Sequence, residues 1–151
     1  MKRHLGKWLA VAVLAVSCTT ITAGAFTDTA GHWAESAINK WSEEYGIIQG
    51  YDDGTFRPDN SITRGAFAGI LDRFLHFQET SPASTFSDTA GTYWEDAILK
   101  LHASGVYLGN QGKALSASTI TRQQAVAMIG RAFNIPLETT SVSYSDGSSI
   151  A

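Results

Sequence analysis

Two arginines, Arg64 and Arg122, follow the same Ile-Thr pair at a spacing of 58 residues. Thr63 and Thr121 are good helix N-caps, which puts each arginine in a first helical turn, beside free backbone N–H groups and the positive end of the helix dipole. A guanidinium there suits a carboxylate, which its planar fork grips through two parallel hydrogen bonds. Upstream, Tyr51-Asp52-Asp53-Gly54-Thr55-Phe56-Arg57-Pro58 gathers acids, aromatic rings and a further guanidinium in one short stretch. Asp53 and the Gly54 backbone can bond hydroxyl groups, while Tyr51 and Trp33 offer flat ring faces. The same residues have structural readings. Asp53-Gly54 is a turn dipeptide, Arg57 can bond loop carbonyls, Trp33 and Trp41 can lie in a core, and Arg64 and Arg122 can form structural ion pairs. Asp28 and Asp88 can accept backbone N–H bonds at the start of the helix that follows each.

Catalytic patterns are weak. His32 and Glu35 are near neighbours, yet there is no His-Glu-x-x-His and no Gly-x-Ser-x-Gly, and His76 and His102 have no partner at a recognisable spacing. The acids Asp52, Asp53 and Asp59 could serve as a glycosidase pair or hold calcium, but their crowding in one loop reads first as a solvated turn. Without the alternating acids and distal Glu of an EF-hand, no metal or cofactor is expected.

The elements that must position these side chains recur. Phe26-Thr27-Asp28-Thr29-Ala30-Gly31 returns as Phe86-Ser87-Asp88-Thr89-Ala90-Gly91, and Ala37-Ile38 as Ala97-Ile98, at a spacing of 60. Gly46 and Gly50 return as Gly105 and Gly109 at 59, and Ile62-Thr63-Arg64 as Ile120-Thr121-Arg122 at 58, a drift expected from trimmed loops. Tyr144-Ser145-Asp146 starts a third copy that stops at Ala151. Each unit reads as helix, loop, helix. Trp33, Ala37, Ile38, Trp41 and Tyr45 share one face of a helix of about three turns, which Gly46 ends as a left-handed cap. Phe67, Ile70, Leu71 and Phe74 form the stripe of the second helix. The second unit repeats this with Ala97, Ile98 and Leu101, then Ala125, Met128, Ile129 and Ala132. Units are expected at 26–77 and 86–135, with a truncated third at 144–151. Thr121 with Gln124 makes a capping box that Thr63 with Ala66 does not.

The 151 residues suffice for one ordinary domain, with 44% hydrophobic and 17% charged residues, a composition that can bury a core. The start reads as targeting. Lys2, Arg3, His4 and Lys7 precede the apolar run Trp8–Val16, and Ala23-Gly24-Ala25 offers a cleavage site, so residues 1–25 are expected to be a secretory signal peptide. Ala15-Val16-Ser17-Cys18 is a faint lipoprotein-like alternative. Removing the leader takes away three of the 11 basic residues and leaves 8 against 14 acidic ones, a balance of −6. An acidic chain without a basic run gives no reason to expect nucleic acid, and the apolar run is too short to span a bilayer.

Phe26-x-Asp28, His32-Trp33-Ala34, Gly46-Ile47-Ile48, Gly50-Tyr51, Asp53-Gly54-Thr55-Phe56-Arg57-Pro58 and Ile62-Thr63-Arg64 together resemble the S-layer homology motif, over nearly all of 26–75 and more loosely over 86–135. The resemblance implies an all-α fold of helix-loop-helix units packed as a pseudo-threefold bundle, incomplete here. It also implies a secreted, non-catalytic module that holds a protein on the bacterial cell surface by binding cell-wall polysaccharide, often bearing ketal-linked pyruvate. Trp33 or Tyr51 would then stack on sugar, Asp53, Gly54 and Thr63 would line the site, and Arg57, Arg64 and Arg122 would meet acidic groups. Gln111-Gly112-Lys113-Ala114-Leu115-Ser116 replaces the first loop's acid, aromatic and arginine, so the first loop with Arg64 ranks above the second with Arg122. About three repeat units are usually needed to bury one another's faces, so two should leave an apolar face exposed. The alternatives are a protein-interaction module completed by units of another chain or by self-association, and the anchor of a wall-remodelling enzyme.

Overall fold

The computed structural model describes residues 26–136, and the leader expected at 1–25 and the third unit expected at 144–151 lie outside the described residues. Among the described residues are four α-helices and no strand, an all-α fold. Both units open alike. The buried hydroxyls of Thr29 and Thr89 donate to the carbonyls of Phe26 and Phe86. The carboxylates of Glu35 and Glu95 each accept from a glycine N–H four residues upstream, Gly31 and Gly91, at 2.8 Å. These acids begin α1 (Glu35–Asn39) and α3 (Glu95–Ala103), where negative charge complements the helix dipole.

The two first helices differ by an inserted residue. α3 is regular, whereas α1 passes after five residues into a π turn over Lys40–Glu44. A π turn absorbs one extra residue, which is why Ala37 and Ala97 are 60 apart but Gly46 and Gly105 only 59. Half of the drift therefore lies inside a helix and not in a loop. The other residue is lost in the turn. Tyr51 N–H donates to the Thr55 carbonyl at 2.7 Å around three residues, and Asn110 N–H to the Lys113 carbonyl at 2.8 Å around two, Gln111 and Gly112. Both have positive φ, 48° and 72°, as a type I′ turn requires.

The core sits where the units meet. Ala68 and Leu71 of α2 (Arg64–Leu75) join Ile98, Leu99 and Leu101 of α3, the buried Phe86, Val106, Tyr107 and Ala114, and Met128 of α4 (Arg122–Ala132). The expected stripes are partly corrected. Ala97, Ile98, Leu101, Leu71 and Met128 are buried, but α1 buries only Ile38, and Trp33 is 89% exposed because it stands in the turn before the helix. Helix α2 turns Gly65, Ala68 and Gly69 inward in place of Phe74, which is exposed. The two glycines accept an indole: a methyl on Gly65 would stand 2.7 Å from Cγ of Trp94, and one on Gly69 2.9 Å from its Cε3. That close approach sets α3 against α2, and Lys100 adds a bridge to Asp72 at 3.5 Å.

Both second helices are capped by threonine. Thr121 and Gln124 form the full capping box, while the Thr63 hydroxyl accepts from Ala66 N–H with no return bond. Ala66→Glu is expected to supply that bond and raise stability by about 0.5–1 kcal/mol, the usual size of a cap effect. A thermal melt checks this, and an unchanged or lower midpoint counts against it.

Candidate functional site

Each unit ties its beginning to its loop through one aspartate. Asp28 accepts from the N–H groups of Phe56 and Arg57 at 2.8 and 2.7 Å. Asp88 accepts from Ala114 and Leu115 at 2.7 and 2.9 Å. The expectation that these acids serve the following helix start is thereby corrected, since Glu35 and Glu95 hold that place. The Phe56 N–H holds the Asp28 carboxyl below its ordinary pKa. For Asp88 the largest influence is burial, which pushes upward, but the N–H bonds from Ala114 and Leu115 prevail and its pKa is also lowered.

In the first loop the chemistry-bearing residues satisfy one another. The Asp53 carboxylate accepts from the Thr55 hydroxyl, the Thr55 N–H and the Arg57 guanidinium, the last at 2.7 Å. Arg57 also lies 4.0 Å from the Tyr51 ring centroid, stacked on its face, and donates to the Thr55 hydroxyl. Asp53 is held at about 2 by Thr55 first and Arg57 next. A carboxyl pKa depressed by folding contributes stability above its unfolded value of 3.8, and that stability is lost as pH falls through about 2. A carbon-13 NMR titration of Asp53 should therefore show its midpoint near 2. Arg57→Ala should move it upward, and an ordinary midpoint in the wild-type protein would mean the cluster does not form.

Arg64 is elsewhere. It is half-buried and points across the junction into the second unit, where its Nε donates to the Ala114 carbonyl at 3.2 Å and its guanidinium lies 4.9 Å from the Tyr107 ring centroid. The N–H groups of Arg64 and Gly65 donate to the carbonyls of Ser118 and Ser116 at 2.8 and 2.9 Å. The first-turn N–H groups expected to be free for an anion are thus already used. What remains is a guanidinium that lines a cleft of about 630 Å³ between the second loop and α4. Among the described residues the cleft is lined by Arg64, Arg131, Tyr107, Asn110, Ser118, Thr119, Thr121, Gln123 and Gln124 together with apolar side chains, and by no carboxylate.

The residues singled out from sequence are therefore not one constellation. Tyr51, Arg57 and Thr63 line a second cleft, of about 570 Å³, with Tyr93 and Trp94 over it. Asp53 and Gly54 lie at the loop tip, exposed, with the acid taken up by Thr55 and Arg57. Trp33 stands in neither cleft and touches His32, which in turn bonds Asp59 at 3.3 Å. Arg122, the first residue of α4, is exposed and lines neither cleft. The pairing of Arg64 with the first loop is corrected: α2 begins against the neighbouring unit, so its first side chain serves the neighbour's cleft. Sequence reasoning missed Tyr107 and Arg131. Arg131 repeats Arg73 at 58 residues, each donating to a loop carbonyl, of Val106 and Ile47, so the repeat register could have exposed it. Tyr107 has no such signal, because the first unit holds Ile48 at that position.

A model of the S-layer homology domain matches residues 25–68. The chain is 36% identical over 106 residues to the cellulosome-anchoring protein of Acetivibrio thermocellus, spanning 66% of this chain and 24% of that protein. It is 34% identical over 127 residues to the outer membrane protein SlpA of Deinococcus radiodurans, 82% of this chain and 11% of that protein. An amylopullulanase of Thermoanaerobacterium thermosulfurigenes is 26% identical over 111 residues, 73% of this chain and 6% of the enzyme. The chain thus spans at most 24% of the length of these curated relatives.

Proposed function

Starting from a chain that carries an S-layer homology domain at residues 25–68, we propose that it is a secreted, non-catalytic module that holds a protein on the cell surface by binding an acidic cell-wall polysaccharide. The observation that carries this is the cleft under Arg64. Among the described residues it presents two guanidiniums, hydroxyl- and amide-bearing side chains and no carboxylate, in a chain whose balance without the leader is −6, so it offers an anionic sugar local attraction on an acidic protein. Tyr107 and the Ala114 carbonyl hold the Arg64 guanidinium by its Nε and one face, leaving its outer edge for a carboxylate such as a pyruvate ketal. The leader at 1–25 is part of this reading as an export signal. Relatives named as enzymes match over a small part of their length, which supports an anchoring role for the shared region and a catalytic one elsewhere.

Purified chain should be retained on isolated cell walls, Arg64→Ala should lose most of that retention, and walls stripped of secondary polymer should retain neither. Retention indifferent to both changes overturns the proposal. A protein-interaction role is the second reading, favoured by the exposed Val126, Ile129, Phe133 and Ile135 on and after α4.

A further inference from the structure

We infer that the molecule self-associates head to tail, the α1 end of one copy covering the α4 cleft of the next and adding Trp33 to it. This deepens the proposed function, because the cleft concerned is the one under Arg64.

The junction between the two units is the template. There, Trp94 at the start of α3 packs on Gly65 and Gly69 of α2, and with Tyr93 it lines one side of the cleft between the first loop and α2. The corresponding cleft between the second loop and α4 has no such cover among the described residues. At the repeat spacing of 60, the residues matching Tyr93 and Trp94 are Trp33 and Ala34. Trp33 is 89% exposed, against 77% for Tyr93. Ala37 is exposed where its equivalent Ala97 is buried, so among the described residues the corresponding face of α1 has no second helix against it.

The sizes at the two junctions are reciprocal. Gly65 and Gly69 of α2 leave room for the indole of Trp94. Their counterparts on α4, at 58, are Gln123 and Ala127, which carry side chains where α2 has only hydrogen. An incoming helix start must therefore carry a small residue where α3 carries Trp94, and Ala34 is that residue. On and just after α4, apolar side chains are exposed: Ile135, at the repeat position of the packed Phe77, is 56% exposed, and Val126 is 62% exposed. The two surfaces differ and lie at opposite ends of the repeat, so the contact is heterologous and generates a series of oligomers and not a closed dimer.

Sedimentation velocity on the full chain should show concentration-dependent species continuing beyond a dimer. Ala127→Trp, which plugs the acceptor, and Trp33→Ala, which removes an interface aromatic, should each weaken association by about tenfold or more, the scale of losing an interface anchor. In a Cys18→Ser background, mixing Ala34→Cys with Gln123→Cys should yield an intermolecular disulfide that neither forms alone. A monomer at all concentrations, association untouched by both variants, or association that arises only when residues 137–151 are removed each overturns the inference. Wall retention read on the same samples keeps the two proposals apart: a monomer that still binds walls through Arg64 refutes self-association alone, and an oligomer that does not bind refutes the glycan reading alone.

Discussion

Trp94→Ala is expected to lower the thermal midpoint by about 10–20 °C, a loss near the lower end of the ~3–5 kcal/mol seen for truncating a packed tryptophan. The lower end applies because the indole is only half-buried, one side lying over the first unit's cleft. Its other side rests on Gly65 and Gly69, and with it goes the main contact that sets α3 against α2. Filling the glycine side should be damaging as well. A Cβ at position 69 would meet the six-membered ring of Trp94, and one at position 65 would in addition stand 3.1 Å from the Ser116 carbonyl oxygen, which is backbone and cannot turn aside. Gly69→Ala is accordingly expected to cost about 1–3 kcal/mol by overpacking. Combined with Trp94→Phe it should cost less than the sum of the two single changes, since the smaller ring vacates the space that the methyl needs. Strict additivity in that cycle, measured by denaturant unfolding, would show that the two side chains do not meet.

The repeat made the fold class and the order of elements legible, because composition, caps and glycine stops recur at nearly fixed spacing and each has a local physical cause. Thr63, Thr121 and Gln124 cap where expected, and Gly46 has the positive φ of a left-handed stop. What local patterns could not show is which unit a side chain serves. Arg64 is in the first unit by sequence and in the second unit's cleft by position, because Ile62–Gly65 lies along residues 116–120 of the neighbour and fixes its direction. The exposure of Ala37 on α1 was hidden for a related reason. A helical stripe marks a face that can be buried, but burial needs a partner surface, and among the described residues α3 has one in α2 while the corresponding face of α1 has none. The π turn in α1 escaped notice because an inserted residue changes spacing in the same way wherever it falls between two matched glycines.

Tyr107→Ala should unfold the second unit's loop at far milder conditions than wild type, at a cost of about 3–5 kcal/mol. This is a fully buried side chain in the core, and its hydroxyl donates to the Ala114 carbonyl at 2.7 Å. Burial pushes its phenol pKa up and the Arg64 guanidinium opposes that shift. The ring thus does two things: it fills the core beneath the loop, and its face seats the arginine. Conservative changes separate them. Tyr107→Phe keeps the ring face and the volume and loses only the hydroxyl bond, about 1 kcal/mol; the Ala114 carbonyl keeps Arg64 Nε as donor, so no buried acceptor is orphaned. Tyr107→Leu keeps an apolar filling but removes the face, so stability should fall moderately while the guanidinium loses its seat. Retention on cell walls should then rank the phenylalanine variant with wild type, the leucine variant clearly below, and Arg64→Ala lowest. If the leucine variant remains folded by near-ultraviolet dichroism and binds walls as well as wild type, seating of the guanidinium on the ring has no part in binding. Equal losses in the phenylalanine and leucine variants would instead assign the effect to the hydroxyl, through its bond to the residue 114 carbonyl and its interaction with the Arg64 guanidinium.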